Sequence, residues 1–292
     1  MATSKVLRKA ARLLPGNVRS LARDLYYRDR HWAHPALKNF GTVQDLYYWI
    51  ADGKLDTLLL IQNYFSALYP ALNTETTGTI SIYSKDGLFL GSKNFSIPHC
   101  GCAKLRVSGL REELQIPPDH SFGTVEVNIA IPEDVMEHTR EETPLYFWDR
   151  FYIGYTNSEQ QACFVHGVDK THIYHEGSPD ATDWYKKPKD HPWAPEIPID
   201  MDDYHKLSVI LINRTSGNAK VTLILSDTEN GSLSLEAQIP AKGVHRFELN
   251  RERTAGLVST EMRMRVQGMA TQFGRPVVFK EFPNGAISAM HC

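Results

Sequence analysis

The chain has 292 residues, 42% hydrophobic and 23% charged, with a formal net charge of −2. That composition excludes a disordered chain, and no apolar run approaches the ~20 residues a membrane-spanning helix needs. The acidic balance weighs against nucleic acid as a partner, because it repels phosphate backbones.

Charge is unevenly placed along the chain. Residues 1–30 carry eight Lys or Arg against Asp24 and Asp29, so that segment is +6 and the rest of a −2 chain is −8. Within it Leu7, Leu14 and Leu21, joined by Ala11, Val18 and Leu25, recur at heptad spacing. The pattern predicts a basic amphipathic helix over 4–29, interrupted at Pro15-Gly16. Three roles fit it: docking on its own body, peripheral contact with an anionic membrane or a partner helix, or an organelle transit sequence. Next, Thr42-Val43-Gln44-Asp45 reads as a capping box and Gly53 as a stop, predicting a short helix between them. Residues 1–54 are expected to form a helical extension.

From Leu55 the period changes to short alternating segments punctuated by Gly, Pro, Asn and Asp. Strands are predicted at 57–65, 78–84, 88–97, 103–108, 122–131, 144–155 and 160–166. A second series follows at 206–213, 219–226, 232–239, 244–249, 259–267, 276–282 and 286–291. Val125-Glu-Val-Asn-Ile-Ala-Ile131 and Met262-Arg-Met-Arg-Val266 alternate cleanly, so one face is buried and one is wet. Asp86-Gly87 and Asn230-Gly231 are hairpin signals at matching places.

The two series look like one unit written twice. Ser84 precedes Pro98 by 14 positions and Ser226 precedes Pro240 by 14; each Pro is followed three residues later by Gly. Upstream, Leu58-Leu-Leu-Ile-Gln-Asn63 matches Ser208-Val-Ile-Leu-Ile-Asn213; downstream, Pro144-Leu-Tyr-Phe147 matches Pro276-Val-Val-Phe279. The expected fold is mainly β: two tandem antiparallel β-sandwiches, 55–166 and 206–292, with an N-terminal helical extension. Between them, 167–205 is a connector rich in Pro, His and aromatics, too long to be inert.

Candidate site residues fall in two groups. His166, His172, His175 and His191 place four of the chain's twelve histidines within 26 residues, a donor set that suits one divalent transition metal. The plainer reading has them capping loops and bonding backbone carbonyls. The second group is aromatic and polar: Trp148, Asp149, Arg150 and Tyr152, then Asp183, Trp184 and Trp193. Flat rings flanked by carboxylates and amides suit a sugar, although such rings also staple units together. Cys100 and Cys102 with His99 read either as a soft metal site or as small fillers beside a turn. With four cysteines and no signal-peptide-like segment, a cytoplasmic, reduced setting is expected, peripheral to a membrane if residues 4–29 anchor it.

The stretch Leu207 to His291 resembles the small β-sandwich family that includes the soluble transducer of a microbial sensory rhodopsin. The carrying segments are Val209-Ile-Leu-Ile-Asn213, Lys220-Val-Thr-Leu-Ile-Leu-Ser-Asp227, Ile239-Pro-Ala-Lys-Gly-Val-His-Arg-Phe-Glu-Leu-Asn250 and Arg275-Pro-Val-Val-Phe279. The resemblance implies single sandwiches that oligomerise and bind ligands or partners rather than catalyse. No nucleophile elbow, phosphate loop or zinc-protease helix occurs in the sequence. The expected function is therefore non-catalytic binding of a small polar ligand, such as a carbohydrate, or of a protein partner. The ligand is expected where the two units meet, and a homo-oligomer stays open. The rival reading is a metal-dependent enzyme built on the four histidines.

Overall fold

The structure, a computed structural model, describes residues 18, 40–138, 151–159, 161–166, 172–175, 196–214, 217–229, 231–258, 260–268 and 276–291. In chain order the strands begin with β1 (Phe40–Ile50), β2 (Leu55–Gln62), β3 (Thr76–Ser84), β4 (Phe89–Ile97), β5 (Cys102–Arg106) and β6 (Phe122–Ala130). They continue with β7 (Phe151–Asn157), β8 (Ala162–His166), β9 (His172–His175), β10 (Ile197–Ile199), β11 (Lys206–Ile212) and β12 (Ala219–Ser226). The last are β13 (Ser232–Ile239), β14 (Val244–Leu249), β15 (Met262–Gly268), β16 (Val277–Glu281) and β17 (Ile287–His291). Three short helices interrupt them: α1 (Tyr64–Leu68), α2 (Val107–Glu113) and α3 (Glu133–His138).

The strands build four antiparallel sheets. In the first sandwich, β4-β3-β6-β1-β9 covers β5-β2-β7-β8; in the second, β10-β15-β12-β13 covers β14-β11-β16-β17. Inward residues at every second position supply the cores. Leu59, Ile61, Ile80, Ile82, Val125, Val127 and Ile153 fill the first, and Val209, Leu211, Val221, Leu223, Met264 and Val266 the second. Position for position, the order β4-β3-β6-β1 recurs as β13-β12-β15-β10, and β5-β2-β7-β8 recurs as β14-β11-β16-β17.

The two halves also share a turn. In the first, Asn63 Nδ2 donates to the carbonyls of Thr74 and Pro98, and Asn63 N donates to Gly101 O. In the second, Asn213 Nδ2 donates to the carbonyls of Gly217 and Ile239, and Asn213 N donates to Gly243 O. Each turn holds its third residue left-handed, Cys100 at φ 54° and Lys242 at φ 57°. A buried amide thus ties a strand end to the Pro-x-x-Gly loop, which accounts for the spacing shared by the two series.

Three differences from the sequence reading stand out. Residues 42–50 are strand, not helix: β1 pairs with β6 from Thr42 to Ile50, and Asp45 to Ala51 are all buried. Aromatic and β-branched side chains covered on both faces outweigh a local capping signal. Gly53, at φ 88°, serves the β1–β2 turn instead of a helix end, so the first sandwich begins at residue 40, not 55. The 167–205 connector contributes β9 to the first sandwich and β10 to the second. The helix expected over 4–29 lies outside the described residues apart from Val18, which is helical and exposed. No helix among the described residues is long and apolar enough to cross a membrane.

The sandwiches meet along a packed seam. Phe279 of β16 stands 4.5 Å from the ring of Tyr155 and 5.8 Å from that of Tyr48, so it closes the edge of the first core. Ile210, Val244 and Val277 join the same apolar cluster. Asp45 and Arg214, whose side chains are 4% and 3% exposed, form an ion pair at 2.6 Å across the boundary. Arg214 also donates to Leu46 O. Further along, Lys242 reaches Glu126 and Tyr83 Oη at 2.8 Å each, and Val244 N donates to Lys85 O. The connector expected to line a ligand pocket between the units lies outside the described residues over 167–171 and 176–195.

Candidate functional site

Alternation in the β5-β2-β7-β8 sheet decides which side chains face away from the core. Leu59, Ile61, Ile153, Tyr155 and Val165 point inward. Their neighbours therefore form the outer face, and the strand register arranges them in rows. One row runs Arg106, Leu58, Gly154, Phe164; the next runs Lys104, Leu60, Tyr152. Phe164 is 50% exposed, and a Cβ on Gly154 would stand 2.7 Å from its ring. The ring lies across Gly154 because that residue has no side chain, leaving a flat apolar shelf open to solvent. Half-buried Tyr152 and Leu60 extend the shelf, and exposed Lys104 and Arg106 edge it.

At one end the shelf runs into a cleft of about 670 Å³ between the β1–β2 turn, α2 and the 116–118 loop. Its floor is a network around Asp56. That carboxylate accepts from Ser108 N at 3.0 Å, Ser108 Oγ at 2.7 Å and Thr57 N at 2.8 Å, and pairs with Arg106 at 3.4 Å. Arg106 also donates to Thr156 Oγ1 at 3.3 Å. On the opposite wall Arg111 donates to the carbonyls of Ala51 and Pro117, with its guanidinium 5.8 Å from the centroid of buried Trp49. Ile116, Pro117 and Pro118 give the cleft an apolar side, while Lys54, Glu112 and Gln115 bring exposed polar groups.

Tyr152 lies on this face, and His166 is its backbone register partner on β8. His172 and His175 belong to β9, in the opposite sheet of the sandwich. Trp148, Asp149, Arg150, Asp183, Trp184, Trp193 and His191 lie outside the described residues. Among the described residues no three potential ligands converge on a metal position. Near His99, Ser66 Oγ bonds Thr74 Oγ1 at 2.6 Å, Thr74 Oγ1 bonds His99 Nδ1 at 2.8 Å, and Cys100 N donates to Ser66 Oγ. Both hydroxyls are buried and engaged in holding the turn, so this chain of bonds presents no accessible nucleophile. Burial pushes the Cys163 and Cys102 thiols up, which disfavours the reactive thiolate.

Phe164, Gly154, Lys104 and Arg106 were absent from the sequence-derived candidates. Alternation in Ala162-Cys-Phe-Val-His166 already set Phe164 apart from inward Val165, but only the register shows it opposite a glycine.

No family model and no curated protein matches the chain. Among solved structures it is similar to a Bacteroides uniformis beta-glucuronidase over 86% of this chain and 26% of that one, at 9% identity and TM-score 0.20. It is similar to a beta-glucuronidase from glycoside hydrolase family 2 over 86% and 23%, at 10% identity and TM-score 0.20. A pullulanase from Anoxybacillus sp. LM18-11 matches over 85% and 28%, at 9% identity and TM-score 0.17. The chain spans about a quarter of the length of those proteins. Likeness at this level bears on neither fold detail nor activity.

Proposed function

We propose that this protein binds a carbohydrate on the outer face of the β5-β2-β7-β8 sheet without transforming it. The observation that carries this is the half-exposed Phe164 ring lying over Gly154, in register with Arg106 and beside Tyr152. A pyranose has one apolar face and a rim of hydroxyls that donate and accept. The shelf offers an apolar plane, and the cleft beside it offers Lys54, Glu112 and Gln115 as polar groups of both kinds. Such a pairing of flat apolar surface with a few polar groups is what a small-ligand site needs.

The register-equivalent face of the second half supports the reading. There Ile210, Val277, Phe279 and Arg246 occupy the corresponding rows, and that face is buried against the first sandwich. The same surface that one half uses for contact is left open in the other.

Immobilised glycans screened with the full chain test this. Retention of at least one saccharide is expected, and Phe164→Ala should weaken it about tenfold or more, as removal of a central aromatic anchor does. Circular dichroism and melting temperature should stay at parental values, since Phe164 is half exposed. Binding unaffected by Phe164→Ala, or a solution dimer that covers the shelf, would reject the proposal.

A further inference from the structure

Charge around the shelf differs from that of the whole chain. The cleft holds Lys54, Arg106 and Arg111 against Asp56 and Glu112, and Lys104 adds a cation one row along β5. Four cations less two anions leave +2 here, on a chain of −2. The anionic member Asp56 is already surrounded by donors from Ser108 and Thr57 as well as by Arg106. Arg106 nevertheless keeps 53% of its side chain exposed. Arg111 is turned to carbonyls of Ala51 and Pro117, so its charge is not neutralised by those partners. A cleft lined by one sign of charge beside a low-dielectric surface concentrates ligands of the opposite sign.

Distance makes the arrangement specific. Arg106 stands on β5 and the Phe164 ring covers Gly154 on β7, two strand spacings away in one row. At ~4.8 Å per spacing that is ~10 Å, about the length of two linked sugar rings. We propose that the ligand is an acidic oligosaccharide, with one ring stacked on Phe164 and the carboxylate of a neighbouring uronate paired with Arg106 and Lys104. This rests on the carbohydrate-binding reading above and narrows its ligand class. Guanidinium to carboxylate is the charge-assisted contact that adds most in such a position.

Calorimetry on the full chain with three matched probes tests it: a uronate oligosaccharide, its methyl ester, and a neutral oligosaccharide of equal length. The acid should bind about tenfold tighter than the ester, an advantage that shrinks as salt is raised. Lys104→Gln and Arg106→Gln should each cut that advantage to about threefold or less while ester affinity is kept. Lys104 is exposed on a strand edge and its variant guards against a folding defect at Arg106. Equal affinity for acid and ester, or full preference retained by both variants, would overturn the acidic assignment and leave carbohydrate binding standing. Failure of all three probes together with the glycan screen would remove the binding reading itself.

Discussion

His245 shows how one side chain sets a pH limit. It stands on β14 with its ring 4.5 Å from that of Phe247. Burial, helped by the charge of Arg253, holds its imidazole below the ordinary value. The unfolded chain therefore takes up a proton there more readily than the folded one. This residue's contribution to stability is complete above pH ~6.5 and is lost as pH falls through the folded value. In His245→Phe, melting temperature should fall less between neutral and mildly acidic pH than in the parent; identical profiles would show that His245 is not the group responsible. Tyr152 and Phe164 make a second point at this scale. An aromatic count finds Tyr152, because it clusters in sequence with Trp148 and Tyr155. Yet Tyr155 points inward and is fully buried, three positions from its outward neighbour, while Phe164 faces out alone. Facing, and not abundance, separates an outward ring from a core ring.

Elements were legible wherever one face is dry and the other wet. The strands from β2 to β8 and from β11 to β17 correspond to the predicted segments, since period-two alternation survives any ambiguity about ends. β1 was hidden because residues 45–50 are all buried and show no alternation, leaving the capping-box pattern as the loudest local signal. β9 and β10 are short strands, and their pairing is a matter of tertiary contact that no window of sequence contains. The Asn-to-turn tie was visible as a repeated spacing, but its bonds were not. Because Asn213 is fully buried and supplies both its amide hydrogens and its backbone N–H, Asn213→Ala should leave the carbonyls of Ile239 and Gly217 without it. A loss of about 2 kcal/mol is expected on urea denaturation, the scale for stranding buried acceptors. A change near zero would mean that water replaces the amide.

At the scale of the whole molecule the seam joins the halves through buried contacts. Asp45 belongs to the first sandwich and Arg214 to the second, and both are almost entirely out of solvent. Arg214→Ala strands a buried carboxylate, so a loss of about 3–5 kcal/mol is expected. Denaturation followed by circular dichroism should remain a single transition, because Phe279 keeps the edge of the first core closed from the other side. Two separated transitions in the parent chain would show that the sandwiches unfold independently. The seam also governs valency. With the surface containing Val277 and Phe279 pressed inward, of the two equivalent faces among the described residues it is the one around Phe164 that turns outward. If that face is the binding surface proposed above, each chain is a one-handed receptor: a long repetitive polymer would have to recruit several copies to be held by more than one grip, and crosslinking of such polymers would depend on how chains associate with each other.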